Sequence, residues 1–163
     1  MIPHPRVLHV VGPKNSGKTA LLKFLIGELN QRGYRVGALK HSSHEHPLDK
    51  PGSDSHLFAE SGANPVIFVT PEGFGVFFHA TPPEEQQVIW KQAFEKADIV
   101  LVESFRSAEG AKIVILNEET RLEEIENILA VVSDTNPPFK YPVFRHNDPR
   151  LVDFILNHFQ LKK

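Results

Sequence analysis

Eight consecutive residues, Gly12-Pro13-Lys14-Asn15-Ser16-Gly17-Lys18-Thr19, fill every fixed position of the pattern G-x-x-x-x-G-K-[ST]. Their types suit the holding of a polyphosphate. Gly12 and Gly17 let the backbone turn so that N–H groups of the loop, those of Asn15 and Ser16 among them, can point inward at phosphate oxygens. Lys18 adds a mobile charge for the outer phosphates, and Thr19 offers a hydroxyl to Mg²⁺, a hard ion that takes its other ligands from phosphate and water. A chance glycine-rich turn is the competing reading. The apolar run before the loop and the amphipathic pattern after it favour the phosphate site.

Such a loop needs an acid beside its metal. Glu103 follows four apolar residues, Ile99-Val100-Leu101-Val102, which would deliver its carboxylate to the end of a strand; with Lys18 it is the candidate catalytic pair, a solvated strand-end glutamate being the plainer reading. Asp54 is a second candidate for Mg²⁺, through water, or else a dipole partner at a helix start. Asp134 follows Ile128-Leu129-Ala130-Val131-Val132, where a carboxylate can accept two hydrogen bonds from a guanine edge or simply serve as a turn residue before Asn136-Pro137-Pro138. Four of the 9 histidines, His41, His44, His46 and His56, crowd one stretch that also carries Lys40, Asp49 and Lys50. A partly cationic surface for an anion or a partner's acids fits that stretch best. A solvated loop comes next, and a nitrogen–oxygen metal site last.

Strands and helices must alternate to present these groups. Val7 to Val11 reads as a buried strand, a helix follows from Lys18 until Gly33, and Tyr34 to Leu39 reads as a second strand; a crossover of this kind makes the two strands parallel. Ser53 caps a short helix closed by Gly62. Val66 to Val69 and Val76 to Phe78 flank Thr70-Pro71-Glu72-Gly73, the spacing of an antiparallel hairpin. A helix over 82–97, strands at 99–102, 113–116, 128–132 and 143–145, a polar helix around 120–127 and a last helix from Pro149 complete the pattern. The expectation is an α/β fold: one phosphate-loop domain over residues 1–163, with a mainly parallel sheet flanked by helices and an inserted hairpin, ligands lying at the carboxyl ends of the strands.

Composition narrows the partners. Eighteen Lys and Arg against 20 Asp and Glu, a formal net charge of −2, remove the broad basic field of a nucleic-acid coat protein. Zero cysteine excludes thiolate zinc, iron–sulfur clusters and a thiol nucleophile. No apolar run nears the ~20 residues of a spanning helix, so no membrane is expected and a cytoplasmic location is.

The phosphate loop, Leu39-Lys40-His41 with His44, Asp49, Lys50, Gly52, Asp54 and Ser55, then Ser61-Gly62-Ala63 and Leu101-Val102-Glu103, together resemble the MobB family. The resemblance spans about Val7 to Val132. It implies a dimeric GTP-binding accessory factor of molybdopterin guanine dinucleotide biosynthesis, with GTP and Mg²⁺ as cofactors, weak hydrolysis, and molybdopterin or its guanylyltransferase, MobA, as partner. It also carries Lys112 over as an anion contact, a solvated strand-start lysine being the alternative. Family members usually read Val-Glu-Gly-Phe-Lys where this chain has Val102-Glu103-Ser104-Phe105-Arg106, and Pro-Lys-Ile where it has Ala111-Lys112-Ile113. Pro13 stands where some phosphate-loop proteins carry an extra lysine after the first glycine, which favours slow hydrolysis. A free-standing kinase or ATP-dependent ligase on the same loop is the competing function, and a metal-delivery GTPase using the histidine stretch is the third.

Overall fold

The computed structural model describes residues 2–42, 47–103, 107–117, 120–135 and 140–163. The elements run β1 (Val7–Val11), α1 (Lys18–Gln31), β2 (Val36–Lys40), α2 (Asp54–Glu60), β3 (Val66–Thr70), β4 (Gly73–Phe77), α3 (Pro83–Phe94), β5 (Ile99–Glu103), β6 (Ala111–Ile115), β7 (Ile128–Val132), β8 (Val143–Phe144) and α4 (Pro149–His158). They fall into two compact units, Met1–His41 with Trp90–Lys163, and Ser42–Ile89.

The first unit is built on a six-stranded sheet in the order β2-β5-β1-β6-β7-β8, with every neighbouring pair parallel. Strands β1, β5 and β6 are apolar almost throughout because both faces are covered, and successive side chains point to opposite faces. On one face Leu8, Val10, Ile99, Leu101, Ile113 and Ile115 pack with Leu21, Leu25 and Leu29 of α1 and Leu151, Val152 and Ile155 of α4. On the other, Val11, Val114 and Val131 join Ile125 and Ile128. Helix α1 is preceded by Gly17 at its N-cap and stops before Gly33, both with positive φ.

Some bounds differ from the sequence pattern. Tyr34 is not in β2: its N–H bonds back to Leu29 O at 3.0 Å, so the residue closes α1. Helix α3 ends at Phe94, and Asp98 then clamps Arg35, its carboxylate accepting from Arg35 N at 2.7 Å. The polar helix around 120–127 is a single 3₁₀ turn, Leu122–Glu124. Local side-chain bonding competes with helix there, Thr120 Oγ1 donating to Asn117 Oδ1 at 2.7 Å, and Asn127 has φ +58°.

Two basic side chains lie inside this sheet. Lys112 is 1% exposed, with its ammonium donating to Glu126 O at 2.8 Å and Gly110 O at 3.4 Å, and burial lowers its pKa. His9 is 7% exposed, and burial first, then the charge of Lys112, hold its pKa below the ordinary value. The folded state therefore favours neutral His9, while the unfolded chain takes up a proton as pH falls through about 6.5. The contribution of His9 to stability is full above that pH and declines below it. Replacing His9 by Leu should shrink the loss of melting temperature between about pH 6.5 and pH 5, and an unchanged slope would remove His9 as its source.

In the second unit Ser53 caps α2, its Oγ accepting from His56 N at 3.2 Å. The hairpin β3–β4 pairs Thr70 with Gly73 across Pro71 and Glu72. Its Ile67, Phe68, Val69 and Phe74 are all more than half exposed. Among the described residues no helix is long and apolar enough to cross a membrane.

Candidate functional site

A wholly parallel sheet delivers the carboxyl ends of its strands to one edge, so the connections after β1, β2, β5, β7 and β8 gather there. The loop after β1 carries the phosphate motif. Gly12 is needed for close approach, since a Cβ on it would lie 2.8 Å from Ser16 Oγ and 3.1 Å from Ile115 O. Asn15, at φ +60°, and Gly17, at φ +88°, bend the chain into the first turn of α1. Lys18 folds back over the loop, its Nζ donating to Gly12 O at 3.0 Å and Pro13 O at 2.5 Å. Ser16 Oγ is buried with no hydrogen-bond partner among the described residues.

Glu103 reaches the same place from β5. Thr19 Oγ1 donates to Glu103 Oε2 at 2.9 Å, and Lys40 Nζ, from the paired position on β2, stands 3.8 Å from Glu103 Oε1. The Glu103 side chain is 15% exposed. A hydroxyl and a carboxylate already in contact form a hard oxygen pair beside the loop, the donor chemistry that Mg²⁺ takes. Thr19 and Glu103 are thus the residues fitted to hold such an ion.

Asp134 is at the end of β7, with its carboxylate 87% exposed and 3.9 Å from His146 Nδ1. His41 follows β2, its N–H donating to Glu103 O at 3.0 Å. Lys112, expected as a surface contact for an anion, is interior, because its position on β6 faces into the core and backbone carbonyls accept hydrogen bonds from its ammonium. Asp54, Asp49 and Lys50 belong to the second unit. Asp54 is the first residue of α2. Asp49 ties down its own loop, accepting from Lys50 N, Ser53 Oγ and Ser55 Oγ, and the Ser55 bond foremost holds its pKa below the usual carboxylate range. His44 and His46, like Ser104 and Arg106, lie outside the described residues. Among the described residues no group of three or more His, Asp or Glu is placed to hold a metal.

His146 carries no motif and is the residue that sequence patterns overlook at this edge. Its Nε2 lies 3.0 Å from where a Cβ on Gly17 would stand. The one signal for it is position, since it follows a strand's carboxyl end. Near it, Ser133, Thr135, Val143, Phe144, Arg145 and Arg150 line a cavity of about 310 Å³. A larger cavity of about 510 Å³, among Val7, His9, Leu39, Trp90, Val102 and Phe159, includes no residue of the phosphate loop.

Residues 7–134 match the family described as Molybdopterin guanine dinucleotide synthesis protein B, MobB. The chain is 35% identical over 155 residues to the molybdopterin-guanine dinucleotide biosynthesis adapter protein of Escherichia coli K12, covering 89% of this chain and 88% of that one. It is 34% identical to the Haemophilus influenzae protein of the same name over 163 residues, 94% of this chain and 90% of the other. Among solved structures, the crystal structure of Bacillus subtilis MobB superposes with a TM-score of 0.76 at 27% identity, over 96% of this chain and 98% of that one.

Proposed function

The chain belongs to the MobB family, and from that premise we propose that it is a GTP-binding adapter of molybdopterin guanine dinucleotide biosynthesis. The observation that carries the nucleotide reading is the contact of Thr19 with Glu103 at the mouth of the loop that Lys18 spans. In this reading the loop N–H groups from Asn15 to Thr19 hold the phosphates, and Lys18 exchanges its two loop carbonyls for outer-phosphate oxygens. Thr19 and Glu103 would hold Mg²⁺, which would neutralise phosphate charge there, and Lys40 keeps the Glu103 carboxylate oriented. Asp134 is the carboxylate offered to the guanine edge.

The 163 residues act as one nucleotide-binding domain in the cytoplasm. Lys40 and His41, at the end of β2, are the residues of the first unit offered to molybdopterin or to its guanylyltransferase. Two copies pair through the exposed apolar side chains of the β3–β4 hairpin, a face too apolar to be left to water. Hydrolysis is weak, because Pro13 follows Gly12 where a second cation would assist. Calorimetric titration with GTP and with ATP, each with Mg²⁺, tests the reading. Micromolar binding of GTP with turnover below about one per second is expected, and rapid phosphoryl transfer from ATP to a small acceptor would overturn it.

A further inference from the structure

His146 Nε2 is buried beside the phosphate loop with no hydrogen-bond partner among the described residues. An imidazole nitrogen excluded from water and left unpaired is costly, and in a binding protein the natural completion is a ligand atom. The link between β8 and α4 sets the ring against Gly17, whose missing side chain is what admits it: a Cβ there would come within 3.0 Å of Nε2. The other nitrogen, Nδ1, is 3.9 Å from Asp134 Oδ1, too far for a hydrogen bond. Asp134 therefore makes no hydrogen bond to the ring.

Strand order supplies the direction. β5 with Glu103 lies on one side of β1, and β7 and β8, leading to Asp134 and His146, lie on the other. A nucleotide whose outer phosphates sit at Thr19 and Glu103 and whose chain continues past Gly17 comes to His146 with the phosphate next to its sugar. The polar cavity of Ser133, Thr135, Arg145 and Arg150 lies beyond, with room for further parts of the nucleoside.

We propose that His146 is a nucleotide-binding residue, its Nε2–H donating to the sugar-proximal phosphate of a bound nucleoside di- or triphosphate. This deepens the GTP reading and rests on it. The test compares GTP with inorganic pyrophosphate, each with Mg²⁺, on the wild type, His146→Ala, His146→Gln and Lys18→Ala. Pyrophosphate carries no sugar-linked phosphate. His146→Ala should weaken GTP by about tenfold or more, as loss of a charge-assisted hydrogen bond does, and leave pyrophosphate unchanged. His146→Gln, which restores an N–H donor, should recover most of the loss, whereas Lys18→Ala weakens both ligands. Unchanged GTP affinity in His146→Ala would overturn the assignment, as would equal weakening of GTP and pyrophosphate, which would make the ring a mere support of the loop. Failure of the wild type to bind GTP at all would remove the nucleotide reading itself, and this inference with it.

Discussion

Lys18→Ala is expected to lower GTP affinity by at least about a hundredfold, the largest effect of any single change in this chain. Hydrogen bonds to charged groups contribute roughly 1.5–3 kcal/mol each, and an ammonium serving two phosphate oxygens makes two of them, while each 1.4 kcal/mol is tenfold. Part of that gain is offset, because Lys18 must first leave Gly12 O and Pro13 O. Those carbonyls can turn to water once the ammonium is gone, so the melting temperature of the ligand-free variant should move little. A binding titration beside a thermal melt separates the two outcomes. GTP affinity that survives the substitution would place the phosphate site elsewhere.

The second large effect belongs to Glu103. Glutamine has nearly the same shape and can still accept from Thr19 Oγ1, so Glu103→Gln keeps the contact of the ligand-free state and removes only the charge. Lys40, 3.8 Å away, then loses its counter-charge, a small change for a side chain that is 67% exposed. What should disappear is the preference for Mg²⁺: GTP should bind the variant about equally with the ion and with excess chelator, whereas the wild type should bind at least about tenfold better with the ion. Unchanged dependence on Mg²⁺ would remove Glu103 as a ligand of the ion.

The two residues of these tests were legible for different reasons. Lys18 is announced by a local pattern, because a phosphate loop is one turn of backbone and all its requirements sit within eight positions. Glu103 lies 84 residues from Thr19, yet it too can be read, since four apolar residues ending in a carboxylate describe a central strand that opens at the ligand edge. Lys112 was not legible. Its neighbours Ala111 and Ile113 suit either a solvated strand start or an interior one, and only the carbonyls of Gly110 and Glu126 closing on its ammonium make burial tolerable. His146 was missed for a similar reason. A histidine between a two-residue strand and a helix cap has no period and no motif, and its closeness to Gly17 arises from residues 129 positions apart.

What depends on near neighbours could be read along the chain: the G-x-x-x-x-G-K-T motif, the alternation of strand and helix, the Ser53 cap, the hairpin around Pro71 and Glu72, and the kinship carried by its motifs. Dihedral preference, hydrogen-bonding reach and side-chain period all act over a few residues, and composition records them directly. The tertiary structure alone decided which distant groups meet at one edge. It set Thr19 on Glu103, Lys40 beside them, His146 against Gly17 and Lys112 inside the sheet. Strand order and register bring these groups together, and both are set by the packing of the whole sheet, which no short stretch of the chain encodes.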